Sequence, residues 1–399
     1  MSNPPGKSVL GLVASSVVHA AGHDPESLWR AAVEGRTGLR RNDLDWCSLD
    51  GWLGRVPGVE DAALAPEFAQ WDCRNHRLAW LALRDADFAQ AVAAAVTRHG
   101  APRVGLLLGT STSGIRATEQ AYARRRDDGR WPTDFSWRHQ HSADSIARFA
   151  AAVLGVQGPM SVLTTACSSS AKVFLTAQRW IDAGLVDAAV VGGADSLCLS
   201  TLHGFDALQL LSDDVCRPFD AGRRGISIGE AAGFVLLARE PAAVSLAGGG
   251  ESSDAYHMSA PHPEGRGARD AMRAALDAAG LEPRDIGYVN AHGTATPAND
   301  RAEAAALASV FGAHGVPVSS NKGITGHTLG ACGVVDAIVT AKALENELLP
   351  PSAMVREVDA SLPVDVLREA RPARGIRHAM SNNFGFGGSN CTLVFRRTG

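Results

Sequence analysis

Among seven cysteines, one stands where sulfur can act as a nucleophile. In MSVLTTACSSSAKVF, Cys167 closes a strand-like run and opens a helix-like one. A thiol at that junction faces unpaired backbone N–H groups and the positive end of a helix dipole, which predicts a lowered pKa and thiolate near neutral pH. Two further turns carry imidazoles. NAHGTATP holds Asn290, His292, Thr294 and Thr296 after the strand-like IGYV, and SNKGITGHTLGACG holds Lys322 and His327 between a strand-like run and a helix-like one. A fourth turn, SNNFGFGGSN (381–390), is rich enough in glycine for backbone N–H groups to converge on an oxyanion. All four sit beside strand ends, where α/β sheets build their sites. One nucleophile, two histidines, one lysine and a nest of N–H donors suit thioester chemistry: the cysteine attacks, the donors hold the oxyanion, and the histidines move protons or stabilise an enolate. Cys47, Cys73, Cys198, Cys216, Cys332 and Cys391 lack this setting and read as packing. No CxxC occurs, so the spacing suggests neither a disulfide framework nor a zinc motif.

The elements that must position these turns alternate. Val-rich runs at 104–110, 160–166, 188–194, 232–238, 286–292, 316–322 and 391–395 predict strands. Ala-rich stretches from Asn75 to Arg98, Ser142 to Leu154, Ser169 to Ala183, Gly267 to Ala279, Arg301 to Phe311 and Leu329 to Glu345 predict helices. Alternation of this kind predicts α/β architecture with strands covered on both faces. The order strand, small-residue turn, Ala-rich helix occurs twice, in MSVLTTACSSSAKVFLTAQRWIDAG and in VPVSSNKGITGHTLGACGVVDAIVTAKAL. That echo predicts two similar halves, 1–245 and 246–399, joined through a loop-like crossing at AREPAAVSLAGGG. After Lys7, SVLGLVASSVVHAAG has the superficial make-up of a signal peptide, but its Val content and the capped helix starting near Asp24 predict a buried first strand.

The chain has 399 residues, 38 Lys plus Arg and 42 Asp plus Glu. A formal net charge of −4 argues against a nucleic-acid binder. No apolar run reaches the ~18 residues needed to span a bilayer. Unpaired thiols suit a reducing compartment, so a cytoplasmic location is expected.

TTACSSS, NAHGTATPAND, NKGITGHTLGACG and SNNFGFGGSN, in this order, resemble the motifs of the β-ketoacyl-acyl-carrier-protein synthases, closest to the elongating type I and type II enzymes. RPFDAGRRGISIGEAAG (217–233) and ESLWRAAVEGRTGL (26–39) extend the resemblance over nearly the whole chain. It implies the five-layered αβαβα thiolase fold, two pseudo-symmetric halves and a dimer, either a homodimer or a heterodimer with a related subunit. It implies decarboxylating condensation of an acyl-enzyme thioester with malonyl-acyl-carrier protein, in fatty acid or polyene/polyketide synthesis. Cys167 matches the acyl-accepting nucleophile, His292 and His327 its partners, and Lys322 the lysine that supports decarboxylation. Phe386 matches the gate phenylalanine whose N–H, with that of Cys167, forms the oxyanion hole. Thr294 and Thr296 match threonines that bind the phosphopantetheine arm. That arm arrives on the carrier protein, so no cofactor of the enzyme's own is expected.

Departures from the family pattern carry information. Asp336 stands where the family helix has Glu, and Asn383 replaces a commoner Ser. The shorter Asp336 argues against the ion that some relatives hold among Asn290, that Glu, Ser381 and Asn382, so no metal is expected. The segment GTSTSGIRATEQ (109–120) replaces a more Gly-rich family stretch that lines the far end of the acyl pocket near the dimer seam, and Thr110, Ser111 and Thr112 are expected to make that pocket more polar or differently sized. In this respect the chain also resembles the condensing enzymes of aryl polyene pathways. Carrier proteins of this family are acidic, which makes Arg74, Arg77, Arg124, Arg125 and Arg126 candidates for a docking patch. Two other readings compete. A coenzyme A-dependent thiolase needs a second catalytic cysteine before the last strand, where FGFGG has none. A chain-length-factor-like partner subunit lacks the nucleophile that Cys167 supplies.

Overall fold

The computed structural model describes residues 9–125 and 127–399. Hydrogen bonding runs through eleven strands: β1 (Leu10–Val18), β2 (Val104–Gly109), β3 (Met160–Leu163), β4 (Ala188–Asp195), β5 (Ala231–Ala238), β6 (Val244–Ser253), β7 (Tyr288–Asn290), β8 (Pro317–Ser319), β9 (Asp365–Val366), β10 (His378–Gly385) and β11 (Ser389–Arg397). Their order is β9-β8-β7-β10-β11-β6-β1-β5-β4-β2-β3. Within β1–β5, the strands lie third-second-fourth-fifth-first. Strands β6, β7, β8, β10 and β11 repeat that order, with β9 added at the edge. The directions repeat as well. In each half the second strand is parallel to the third and fourth, while the fifth is antiparallel to the fourth and first. Among the described residues two pairs, Leu10 with Leu246 and Gly11 with Ser245, join the halves across β1 and β6.

Side-chain alternation along each strand builds the layers. Leu107 and Val191 face inward with Phe174 of α3 (Ser169–Asp182) and Val335 and Val339 of α6 (Cys332–Asn346). Leu106 and Leu108 face outward, onto Leu78 of α1 (Arg74–Leu83) and Phe149 of α2 (Ser145–Leu154). In the second half Leu393 and Phe395 face the central helices, and Val394 faces Met272 of α4 (Arg266–Ala279) and Leu307 of α5 (Pro297–Phe311). Helix, sheet, helix, sheet, helix is the five-layer arrangement. The repeated strand-turn-helix units of the sequence are the third strand and central helix of each half.

Local differences from the sequence reading have physical causes. The single helix expected from Asn75 to Arg98 breaks at Asp85, whose side chain caps the next helix by accepting from Phe88 N–H at 2.9 Å. The crossing at AREPAAVSLAGGG is in large part strand, since β6 begins at Val244. Its glycines disguised it. A Cβ at Gly250 would lie 2.2 Å from Ala271 O, so α4 lies too close for any side chain there. The expected division between residues 245 and 246 thus falls inside β6. At the N-terminus β1 is followed by the helix Pro25–Glu34, with Asp24 as its cap accepting from Ser27 N–H at 2.7 Å. Among the described residues no helix is long and apolar enough to cross a membrane.

Candidate active site

Cys167 lies between β3 and α3, after Ala166 in the left-handed region at φ 51°. That strained residue turns the chain sharply and presents the sulfur at the helix start. His292 follows β7 and His327 follows the short helix Lys322–Thr325, both beside the same sulfur. Cys167 Sγ is 2.9 Å from His327 Nε2. The two imidazole rings are 5.2 Å apart at 83°. Sγ and one nitrogen of each histidine all lie within 4.8 Å of one another. The three share a cavity of about 180 Å³, also lined by Leu208, Ile226, Thr294, Thr296, Phe384 and Phe386. The motifs expected to converge therefore do converge.

The Gly-rich loop closes on the sulfur from the second half. A Cβ on Gly385 would approach Cys167 N to 3.3 Å and Thr165 O to 2.9 Å, so glycine permits this contact. The N–H groups of Phe386 and of Cys167 itself face the sulfur. The Phe386 ring stacks at a tilt on Phe205, 5.4 Å away. Thr294 and Thr296 are 3.1 Å apart through their hydroxyls, and Thr296 also caps α5 by accepting from Asn299 N–H.

Burial dominates the electrostatics. It pushes the Cys167 thiol up to about 12, against the opposing pull of the Phe386 N–H and the Lys322 ammonium. The thiolate expected from the helix end alone is therefore corrected: the resting group is a thiol, because desolvation outweighs the dipole. Burial, reinforced by Lys322, lowers His327 to about 3 and His292 well below its ordinary value, so both rings are neutral.

Lys322 stands behind the histidines and does not line the cavity. Its ammonium donates to Asp336 Oδ2 at 2.8 Å, with both side chains 1% exposed. Asn383 Nδ2 donates to the same oxygen at 2.9 Å, and Asn321 Nδ2 to Oδ1 at 3.2 Å. Asn290 donates to the Asp336 carbonyl at 2.9 Å. The Asp336 carboxylate is thus taken up by one ammonium and two amides. Asn382 instead bridges Thr392 and Glu303, and no hydrogen bond reaches Ser381 Oγ among the described residues.

Thr110, Ser111 and Thr112 are not brought into this cavity. Their polar groups turn inward onto Asp195, which is fully buried. Oδ1 accepts from Thr110 Oγ1 at 2.7 Å, Ser111 N and Thr112 N at 2.8 Å, and Thr112 Oγ1 at 2.9 Å. Oδ2 accepts from Ser111 Oγ and from Gly330 N at 2.6 Å. The three residues border a separate cavity with Ile115, Trp137, His141 and Thr164. A buried carboxylate claims their donors, and the cavity they border is distinct from the one at Cys167.

The arginine patch also differs. Arg74 is withdrawn from the surface, 10% exposed, with its guanidinium bidentate on buried Glu230 and bonded to Glu60. It is therefore no docking residue. Arg77 is bidentate on Asp72. Arg124 is exposed and paired with Asp134 at 2.9 Å, and Arg125 lies over the Trp131 ring. Arg74, Arg77 and Arg124, with Arg55 and Arg116, share a cavity with Asp43, Asp45, Glu60, Asp72 and Asp134, so the charges there balance and leave no basic excess. Arg126 lies outside the described residues.

Two site residues had no signal in the motifs. Glu303 on α5 accepts from His292 N at 2.9 Å and Gly293 N at 2.8 Å, fixing the first histidine turn. Burial raises it to about 7. Cys332, read as packing, donates its thiol to Cys167 O at 3.1 Å and so holds the Cys167 backbone. A buried acid inside an otherwise Ala-rich helix was the one available hint for Glu303.

Fold and site together define a thiolase-fold enzyme that handles thioesters. Residues 10–243 match the β-ketoacyl synthase N-terminal domain and residues 243–356 its C-terminal domain. The chain is 34% identical to nodulation protein E of Rhizobium meliloti (strain 1021), over 94% of this chain and 96% of that protein. It is 32% identical to 3-oxoacyl-[acyl-carrier-protein] synthase 2 of Staphylococcus aureus (strain COL), over 94% and 95%. A chain from the complex of the ketosynthase ApeO with its chain length factor ApeC, from Xenorhabdus doucetiae, superposes with a TM-score of 0.88 at 37% identity, covering all of both chains. The chain belongs to the β-ketoacyl synthase family, the condensing enzymes.

Proposed function

We propose that Cys167 accepts an acyl group from a carrier-protein thioester and that His292 and His327 support its decarboxylative condensation with malonyl-carrier. The observation that carries this reading is the approach of one sulfur and two imidazole nitrogens to within 4.8 Å at a shared cavity. Sulfur attacks the thioester carbon and the carrier thiol departs with the proton that the cysteine gives up. The 2.9 Å contact supports His327 as the relay for that proton. The Phe386 and Cys167 N–H groups hold the tetrahedral oxyanion. Malonyl-carrier then loses CO2, and hydrogen bonds from the two histidines stabilise the enolate, whose carbon attacks the acyl-cysteine and expels the Cys167 sulfur, which takes up a proton from solvent as β-ketoacyl-carrier leaves. Neutral rings suit this step, because an imidazolium would hold the malonyl carboxylate too tightly before reaction. Lys322, held by Asp336, acts as a charge behind the rings. Thr294 and Thr296 bind the phosphopantetheine arm.

For partners we propose an acyl carrier protein and a second subunit. Strand β3 ends the sheet. Met160 within it is exposed, as is Trp137, which shares a cavity with Thr164 just beyond it. That edge suits a second copy or a related subunit, the latter in keeping with the ApeO–ApeC pairing. Arg77, Arg124 and Arg125 remain candidates for carrier docking.

The test is intact-protein mass spectrometry after incubation with a panel of acyl-carrier proteins. Wild-type protein should gain one acyl mass, and Cys167→Ala should gain none and lose condensation. Loading that survives Cys167→Ala would overturn the assignment, and complex activity that survives it would favour the chain-length partner. Reversing the charge of Arg124 and Arg125 should raise KM for the carrier substrate several-fold with a smaller change in kcat; an unchanged KM removes the docking patch.

A further inference from the structure

The grouping of Cys167, His292 and His327 has a use besides nucleophilic attack. A thiol and two imidazoles, all buried yet opening on one cavity, are also a set of zinc ligands. Tetrahedral zinc has bonds of about 2.3 Å to sulfur and about 2.0–2.1 Å to nitrogen, which sets its ligand atoms about 3.5 Å apart. The three atoms here are already within 4.8 Å, and Sγ and His327 Nε2 are at 2.9 Å. Small side-chain adjustments therefore suffice. The cavity supplies a path for the ion and leaves a fourth position open. Lys322 acts on all three ligands as a positive charge and so works against a second cation; its pairing with Asp336 at 2.8 Å reduces that opposition without removing it, which favours weak, exchangeable binding.

We propose that the protein binds one Zn2+ through Cys167 Sγ and one nitrogen each of His292 and His327, and that the bound ion reversibly blocks the nucleophile. Only the blocking rests on the condensing role above; the binding rests on geometry. Formation of the Zn–S bond replaces the S–H bond, and the proton is released to water with no change of oxidation state. Chelation of the ion restores the thiol. Neither histidine Nδ1 has a hydrogen-bond partner among the described residues. Metal-ligating histidines ordinarily donate their other N–H to an acceptor, and losing that support costs 10–100-fold in affinity. The site is accordingly exchangeable and inhibitory, not a permanent structural centre.

The experiment titrates metal-free, full-length protein with Co2+ as a spectroscopic probe, then displaces it with Zn2+. Expected are a thiolate-to-cobalt charge-transfer band and tetrahedral visible bands saturating at one equivalent, and Zn2+ inhibition of acyl loading reversed by chelator. His292→Ala should weaken cobalt binding at least tenfold. Wild-type protein acylated on Cys167 should show no band, a control that needs no variant to fold. Absence of the band, or its persistence in acylated protein, overturns the site. Metal-free wild-type protein that loads acyl groups but gives no band overturns zinc binding alone; a band without loading overturns the condensing role alone.

Discussion

Replacing Asp195 by asparagine tests whether a fully buried carboxylate outside the reacting group sets the position of His327. The chain around that histidine is tethered on both sides. His327 N–H is held by Ser227 O at 2.7 Å, and Gly330 N–H, three residues on, by Asp195 Oδ2 at 2.6 Å. Asparagine preserves the shape but presents an NH2 at one of the two oxygen positions. With the amide oxygen kept at Oδ1, where Ser111 N–H, Thr112 N–H and two hydroxyls donate, the NH2 confronts Gly330 N–H donor to donor. The flipped rotamer confronts Ser111 and Thr112 N–H instead. Orphaning one buried N–H costs about 1–3 kcal/mol, and losing a bond to a charged acceptor about 1.5–3 kcal/mol. If about 2 kcal/mol of this is relieved by displacing the His327 loop from Cys167 in the transition state, kcat falls about 30-fold. The assay is steady-state condensation with separate kcat and KM, acyl loading by mass spectrometry, and a thermal melt on the same preparations. Expected are a fall in kcat with little change in KM for malonyl-carrier, and a melt lowered by several degrees. A variant with wild-type kcat and melting temperature refutes the reasoning.

Other consequences can be checked alongside. Glu303 is raised to about 7 by burial. Folding therefore takes up a proton at this site above its ordinary carboxylate range, and the associated stability, present at low pH, is lost as pH rises through about 7. Glu303→Gln should flatten the stability-pH curve between about 4.5 and 7, read by denaturant midpoints across that range; an unchanged curve refutes the assignment. Asp336 and Asn383 should be coupled, since Asn383 donates to the oxygen that binds Lys322. Asp336→Glu overfills the site and Asn383→Ser removes a donor, so each alone destabilises, while the pair together should recover at least ~0.5 kcal/mol relative to the sum. Strict additivity in a double-mutant cycle would count against that compensation.

The catalytic turns were legible because each carries its own local signal: a strand, a small-residue break, and a chemically capable side chain at the break. Glu303 and Asp195 carried no such signal. The partner of Asp195 arrives from 84 residues away, across strand ends that become neighbours only once the sheet forms, and that of Glu303, 11 residues back, only when α5 folds against the turn after β7. Thr110, Ser111 and Thr112 were legible by position, but the acceptor on β4 that determines where their donors point was not. The Cys167 acidity failed for a related reason. A helix terminus is visible in the chain, but the desolvation that overrides it is a property of the packed interior. Strand β6 was hidden because its glycines answer to the neighbouring helix rather than to strand preference.

The repeated strand order has a further meaning at the reacting centre. Cys167 and Asp195 come from the first repeat, while His292, Lys322, His327 and Phe386 come from the second. On the roles proposed above, neither repeat owns a working set: one holds the acyl handle and the other the machinery that makes a carbanion equivalent. Chemistry is thereby tied to correct mating of the two repeats. A molecule whose repeats have slipped against each other loses the approach of sulfur to both imidazoles, and with it the capture of any enolate by an acyl-cysteine.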